Sequence, residues 1–336
     1  MIFKPIPKRL MYQSIEVNDQ SQAPFSWKAY HQTVNELLLL NPSINLFSNP
    51  SEDKFRQMIL GRNQYAKGNF KTFTFFQEAR CVGILEVMVK PRMGYLSILP
   101  NRTDIELINC ITEICRSCEI DTLRITTAQA EVKDMLQKGG QSLLIHDVIQ
   151  ELQKDSMDME VIDFLTKSGL SYMEEQGFVL KSYTKLEGDI LDKYVVFHNE
   201  VIRDILVYDM ENGVEAVSTS MVKEKSEQMK RMGGGLLYLI LFDNTENTIG
   251  LTEVWIADLE NCDTINCGLT AIKKEYRQQG IAQFLKAKMI QQILRDFEGF
   301  CMLETANSVV NIPVLKLNEK FGFQKVSEEF VFAYSH

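Results

Sequence analysis

The chain has 336 residues, of which 45% are apolar, and this is enough for two domains that each bury a core. A formal net charge of −9 disfavours a nucleic-acid partner. The longest apolar run near the N-terminus, residues 37–40, is too short to cross a membrane, and no secretory signal is apparent. Seven cysteines, an odd number, fit a reducing compartment, and four histidines without a local ligand pair predict no metal site. We expect a soluble cytoplasmic protein.

The first half of the chain contains segments that alternate between strand-like and polar patterns. Apolar runs at residues 70–76 and 82–87 predict two neighbouring strands. The following polar stretch, residues 128–159, favours helix, and residues 179–186 predict a further strand.

The second half opens with two helical patterns and continues with strands. Residues 191–207 place Phe197, Val201 and Ile205 at helical spacing, which predicts an amphipathic helix packed on a sheet. Residues 223–231 alternate in charge and predict a solvated helix. Two strands, residues 236–242 and 249–254, are joined by the polar turn Asp-Asn-Thr-Glu-Asn, so a hairpin is predicted.

The segment Tyr276-Arg-Gln-Gln-Gly280-Ile-Ala282 joins a predicted strand, residues 265–272, to a predicted helix, residues 281–295. A loop in this position directs backbone N–H groups and the positive end of the helix dipole at one spot, which suits phosphate oxygens. Gly280 keeps side-chain atoms away from those amides, and Arg277 adds a charge that can pair with a phosphate. The loop is therefore the predicted functional site.

Short matches between the halves predict an internal duplication. Val-Gly-Ile-Leu-Glu-Val at 82–87 corresponds to Ile-Gly-Leu-Thr-Glu-Val at 249–254, and Tyr-Met-Glu-Glu-Gln-Gly-Phe at 172–178 corresponds to Leu-Asn-Glu-Lys-Phe-Gly-Phe at 317–323. These matches predict one domain over residues 1–188 and another over 189–336, with the extra residues of the first copy placed in 128–159.

The two copies differ where the phosphate site is predicted. Aligning Gly94 with Gly268 places Asp104 and Glu106 opposite Gln278 and Gly280. Carboxylates at a helix start suit the dipole but repel a phosphate. The first copy is therefore predicted to be degenerate.

Residues 236–323 resemble the GNAT superfamily of N-acetyltransferases. Arg277-Gln-Gln-Gly280-Ile-Ala282 fits the family's Arg/Gln-x-x-Gly-x-Gly/Ala loop. The late helix, Asn311-Ile-Pro-Val314-Leu-Lys-Leu-Asn318-Glu-Lys-Phe-Gly-Phe, keeps the family spacing with Val314 in place of an alanine and Asn318 in place of a tyrosine. The resemblance implies an α/β fold of two tandem GNAT-like domains, as in proteins of the mycothiol synthase type, each a twisted, mainly antiparallel sheet flanked by helices.

The resemblance also implies acetyl-CoA, or another acyl-CoA, as the co-substrate. Its pyrophosphate would lie on the loop, and its pantetheine arm would pair with the backbone of the preceding strand. Asn311 matches the family asparagine that contacts the cofactor arm, although an N-cap role is equally compatible with its position. The implied cofactor-binding residues are Leu269, Thr270, Ala271, Ile272, Arg277, Gln278, Gln279, Gly280, Ile281, Ala282 and Asn311.

Acyl transfer to an amine needs a base, an oxyanion donor and an acid for the leaving thiolate. Glu253 and Glu304 are the candidate bases, and alternation along the strand places Glu253 on the same face as Leu251 and Trp255. A backbone N–H near Ile272 is the candidate oxyanion donor. Asn318 cannot act as the acid that the family tyrosine provides.

The implied activity is transfer of an acetyl group from acetyl-CoA to a primary amine of a small-molecule acceptor by direct attack. Two alternatives stay open: a non-catalytic acyl-CoA-binding or regulatory protein, and an aminoacyl transferase of GNAT-like fold. The second usually lacks an intact CoA loop. No membrane partner is expected, and the sequence predicts neither the acceptor nor the oligomeric state.

Overall fold

A computed structural model describes residues 13–16, 28, 31–32, 56, 70–77, 80–88, 93–98, 122–128, 130–206, 216–231, 233–260 and 262–334. Within these ranges the chain forms two compact units. The first contains the described residues up to His146 and from Glu329 onward, and the second contains Asp147 to Glu328. The boundary predicted between residues 188 and 189 separates sequence copies rather than compact units, and it stays a prediction.

The first unit is built on a mainly antiparallel sheet. Strands β1 to β4 pair antiparallel in chain order, whereas β4 and β5 pair parallel. The strands predicted at 70–76 and 82–87 are confirmed. Asp104 and Glu106 lie outside the described residues, so the degeneracy of the first copy stays a prediction. The elements are β1 (Gln13–Glu16), β2 (Phe70–Gln77), β3 (Arg80–Met88), β4 (Met93–Ile98), β5 (Thr122–Thr127) and α1 (Ala130–Lys138).

The remaining elements form most of the second unit. Strands β7, β8, β9 and β10 pair antiparallel in that order, β10 pairs parallel with β11, and β11 pairs antiparallel with β6. The elements are β6 (Ser142–Gln153), α2 (Met159–Gln176), β7 (Val179–Tyr183), α3 (Gly188–Leu206), α4 (Thr219–Arg231), β8 (Gly235–Phe242), β9 (Thr248–Ile256), β10 (Thr264–Ile272), α5 (Ile281–Asp296), β11 (Met302–Ser308), α6 (Ile312–Lys320) and β12 (Gln324–Tyr334).

Each half of the sequence supplies a strand that pairs with the other half. Strand β6 follows β5 and α1 in the chain, but it pairs with β11 from Asp147 to Gln153. Strand β12 follows β11 and α6, but it pairs with β5 from Phe330 to Tyr334. The segment β5–α1–β6 is therefore the topological counterpart of β11–α6–β12.

This topology corrects two sequence predictions. The counterpart of the helix ending at residues 317–323 is α1, not the helix ending at 172–178. Residues 128–159 are also not a helical insertion, because β6 lies within them. The misleading match has a physical cause, since α2 and α6 end alike, with the N–H groups of Gly177 and Gly322 bonding back into the last helical turn and both glycines at positive φ. The shared pattern encodes a helix end and does not report topology.

Helices cover both faces of the sheet in the second unit. Helices α3 and α4 pack on one face, in a core that includes Leu191, Phe197, Val222, Leu236 and Leu251. On the other face α2 and α5 pack with the sheet, and the core there includes Ile162, Leu165, Leu237, Ile265, Met289, Ile293, Phe321 and Phe323. The predicted hairpin between β8 and β9 is confirmed. Among the described helices, none is long and apolar enough to cross a membrane.

Helix α2 lies so close to α5 that only glycine fits at residue 169. A Cβ added to Gly169 would lie 2.5 Å from the Cβ and Cδ2 atoms of Phe284. We expect Gly169→Ala to lower the free energy of unfolding by about 1–3 kcal/mol, because the two helices must separate or Phe284 must leave its rotamer. Chemical denaturation measures this. Gly299→Ala is the control, since a Cβ at Gly299 meets no described atom within 4 Å; an equal loss in both variants would contradict the packing argument.

Candidate functional site

The loop between β10 and α5 has the open geometry that an anion site needs. Gln278 and Gly280 have positive φ angles of 64° and 78°, so the chain turns sharply before α5 begins at Ile281. No acidic residue lies in the first turn of α5, and Gly280, its N-cap, provides no capping side chain. A Cβ at Gly280 would meet no described atom within 4 Å. The first N–H groups of α5 have no partner inside the helix, and the space beside Gly280 is open to an anion.

Two side chains of the loop hold it to its surroundings. The Nε atom of Arg277 donates to the carbonyl of Ile272 at 2.9 Å, and Nη2 donates to Asp204 of α3 at 2.8 Å. Tyr172 of α2 donates its hydroxyl hydrogen to Oε1 of Gln279 at 2.7 Å. Arg277 therefore fixes the end of β10 in addition to its predicted phosphate contact, which stays a prediction.

Strands β10 and β11 separate from each other and form a fork. They pair from Thr264 opposite Met302 to Asn266 opposite Glu304, which is the last parallel pair found between them. Beyond it, β10 continues beside β9 and β11 continues beside β6. At the apex of the fork the Thr305 hydroxyl donates to the carbonyl of Cys267 at 3.2 Å.

The predicted pantetheine-binding residues, Leu269 to Ile272, lie on the β10 arm of this fork. In the described chain, β11 does not pair with that part of β10. The backbone there can therefore pair with an extended, amide-containing ligand, as a sheet edge pairs with an added strand.

A bulge in β10 lies next to the apex and contacts Glu253. Cys267 lies opposite Val254 of β9, and Thr270 lies opposite Thr252. Gly268 and Leu269 therefore both lie opposite the single residue Glu253. A Cβ at Gly268 would be 2.9 Å from Cγ and Oε1 of Glu253. The glycine thus lets a carboxylate lie directly against the bulge.

Glu253 is only 8% exposed and accepts a hydrogen bond from a phenol. Tyr194 of α3 donates to its Oε2 at 2.8 Å, and Tyr238 of β8 is its cross-strand neighbour. Burial, followed by the charge of Glu253, raises the pKa of both tyrosines, so both phenols are neutral at any physiological pH. One turn along α3, burial lowers the pKa of His198, whose ring centroid lies 5.6 Å from that of Tyr194. Leu251 and Trp255 pack in the core on the same sheet face, as predicted for Glu253.

The other candidate residues lie elsewhere on the fork. Glu304 is buried on β11 at the last paired position, between Asn266 of β10 and Glu151 of β6. Asn311 is the N-cap residue of α6, but its side chain makes no capping hydrogen bond. The predicted N-cap position is therefore confirmed, while the capping bond is not formed.

The structure also contains a buried polar cluster that the sequence analysis missed. Lys286 of α5 donates from Nζ to Oδ1 of Asn318, and Asn318 donates from Nδ2 to Oε1 of Gln150 on β6 at 2.8 Å. These three residues, the lysine–amide cluster, are between 0% and 6% exposed. The available signal was a lysine within the apolar stripe of α5, four residues after Ala282 and four before Ile290.

The described residues contain no group of three or more His, Cys, Asp or Glu side chains that could hold a metal ion.

Comparison of the sequence with protein families and with curated proteins finds no match. Comparison of the fold with solved structures does find matches. A tandem GNAT protein from the clavulanic acid biosynthesis pathway is 15% identical, with a TM-score of 0.66 over 96% of this chain and 98% of that one. A GCN5-related N-acetyltransferase from Sphaerobacter thermophilus is 9% identical, with a TM-score of 0.62 over 96% and 95%. A GNAT-family acetyltransferase from Colwellia psychrerythraea is 11% identical, with a TM-score of 0.51 over 97% and 100%.

Proposed function

We propose that this chain, whose fold is that of the tandem GNAT acetyltransferases, is an acyl-CoA-dependent N-acyltransferase that uses acetyl-CoA. The observation that carries the proposal is one continuous arrangement in the second unit. Three features follow one another from α5 back along β10. They are the N-terminus of α5 without a side-chain cap, the part of β10 that has no described pairing with β11, and the buried carboxylate of Glu253 at the bulge. These are the three features that a diphosphate, an amide-containing arm and an amine nucleophile require.

The cofactor would extend from the loop to the apex of the fork. Its pyrophosphate binds the N–H groups between Gln278 and Ala282, where the helix dipole favours negative charge. Its pantetheine arm pairs with the backbone between Leu269 and Ile272, and the amide of Asn311 contacts it from the start of α6. The thioester then lies near the bulge at Gly268.

Glu253 is the proposed base. The attacking amine loses a proton to this carboxylate, directly or through a water molecule, while Tyr194 holds the carboxylate in place. Glu304 lies in a regular parallel pair with Asn266, whereas Glu253 lies opposite the bulge, where Gly268 leaves room for its carboxylate, so we favour Glu253. Because Ile272 is at the loop end of the arm, we place the oxyanion donor at a backbone N–H of the bulge instead.

The acceptor is proposed to be a small amine in the cytoplasm. A buried carboxylate beside the rings of Tyr194 and Tyr238 suits a substrate that arrives as an ammonium ion and is deprotonated before attack.

Calorimetry with acetyl-CoA and a thiol-release assay test this function. We expect a dissociation constant on the order of 1–100 μM and release of CoA thiol with at least one of spermidine, glucosamine and lysine. Binding without thiol release from any of them would favour the non-catalytic acyl-CoA-binding alternative. Failure to bind acetyl-CoA would contradict the proposal and would favour the aminoacyl transferase alternative.

A further inference from the structure

Lys286 is a buried cation without a carboxylate partner within the described part of the chain. The residue is 6% exposed and lies between the apolar residues of α5. Nζ lies 4.4 Å from the ring centroid of Phe323 and bonds to the neutral amide of Asn318. Burying an ammonium group in such surroundings costs several kcal/mol, so its presence here requires a reason other than stability.

The position of the lysine–amide cluster indicates what that reason is. Gln150 lies opposite Thr305 across β6 and β11, and the Thr305 hydroxyl bonds to the Cys267 carbonyl at the apex of the fork. Lys286 and the Cys267 side chain are close enough for the charge of the lysine to lower the pKa of the thiol, against the larger effect of burial. Two hydrogen bonds and one strand pairing therefore connect Lys286 to the apex, through Asn318 and Gln150.

We propose that Lys286 is the catalytic acid that protonates the CoA thiolate as it leaves, and that Asn318 positions it. The inference rests on the proposed function and assigns the acid step that Asn318 cannot perform alone. The GNAT pattern has an acidic tyrosine on this helix, at the position of Asn318. Here the amide of Asn318 on α6 holds Lys286 of α5, and the lysine provides the proton in place of the tyrosine.

The acid step breaks the bond between carbon and sulfur and forms a bond between sulfur and hydrogen. The carbon–sulfur bond of the tetrahedral intermediate breaks, and its electron pair leaves with the sulfur. An N–H bond of Lys286 breaks, and its proton forms the S–H bond of CoA. Lys286 becomes a neutral amine, while the proton lost by the acceptor is on Glu253 and returns through solvent. Burial lowers the pKa of Lys286, so it gives up a proton more readily than an exposed lysine does.

The first experiment titrates the thiol of CoA bound to the full chain, followed by the ultraviolet absorbance of the thiolate. An ammonium beside the sulfur favours the thiolate. The variant Lys286→Met removes this charge. We expect it to raise the midpoint of the CoA thiol titration by about one pH unit and to leave the affinity for CoA at neutral pH little changed. Lys288→Met removes the same charge from the same helix and is the matched control, with no expected shift. Lys286→Met removes a buried charge but leaves Oδ1 of Asn318 without its donor, so circular dichroism checks that the variant is folded before the titration.

The second experiment measures turnover of acetyl-CoA with the amine that the wild type uses. Lys286→Met is expected to lower kcat about 100-fold, and the double variant Lys286→Met with Asn318→Tyr is expected to regain part of the loss because a phenol can donate the proton. An unchanged midpoint and unchanged kcat in Lys286→Met, or equal losses in Lys288→Met, overturns the inference alone. A wild-type chain that does not bind CoA overturns the proposed function and this inference with it.

Discussion

Replacing Glu253 with glutamine is expected to reduce acyl transfer by about 10²–10⁴-fold. Glutamine keeps the shape of the side chain and can still accept the hydrogen bond from Tyr194, but it cannot take a proton from the amine. Because Glu253 contacts the bulge and not the loop, the dissociation constant of acetyl-CoA should stay the same. Steady-state kinetics of thiol release, together with calorimetry, separates the two quantities.

Glu304→Gln is the matched control for this prediction. Glu304 is also a buried glutamate on the same sheet, but it lies where β10 and β11 are still paired, opposite Asn266. We expect it to lose far less activity than Glu253→Gln. The opposite order of losses would assign the base to Glu304, and equal small losses would show that neither carboxylate takes the proton.

Gly280→Glu is expected to weaken acetyl-CoA binding at least about 100-fold, or ~2.7 kcal/mol. The new carboxylate would occupy the open space beside Gly280, at the start of α5, and would repel the pyrophosphate. Because the residue has a φ of 78°, any side chain there also adds strain on the order of 1 kcal/mol. Calorimetry with acetyl-CoA measures the loss, and circular dichroism confirms that the variant is folded.

Gly140→Glu isolates the effect of charge from the effect of strain. Gly140 has a φ of 77°, and a Cβ there also meets no described atom within 4 Å. The two variants should therefore lose similar stability, while only Gly280→Glu loses the ligand. Retention of wild-type affinity by Gly280→Glu would show that the loop does not bind the diphosphate.

The elements near the loop could be predicted because local signals were strong there. Apolar runs of strand length, a polar turn beginning at Asp243 and a helical stripe after Gly280 are each determined by neighbouring residues, so the order β8–β9–β10–α5 follows from the sequence. Alternation along β9 likewise predicted the face on which Glu253 lies.

Features that depend on distant pairing could not be predicted. The bulge opposite Glu253 depends on the register with β10, and the contact with Tyr194 depends on how α3 packs. Lys286 and Asn318 are 32 residues apart, and only the packing of α5 against α6 brings them together. The helix-end pattern shared by α2 and α6 carries the same local meaning in two topological positions, so it could not reveal which strand follows.

Strands β6 and β12 each pair with a strand from the other half of the sequence, and this affects how the chain folds during translation. Thr127 of β5 pairs with Phe330, which is synthesised roughly 200 residues later, and contacts between such distant residues form slowly. The β5 edge of the nascent first unit is therefore exposed while the second unit is being made, and a ribosome-bound intermediate stalled between these residues should recruit chaperones or self-associate. A gene split between the two sequence copies would yield fragments that complete their sheets only by associating with each other.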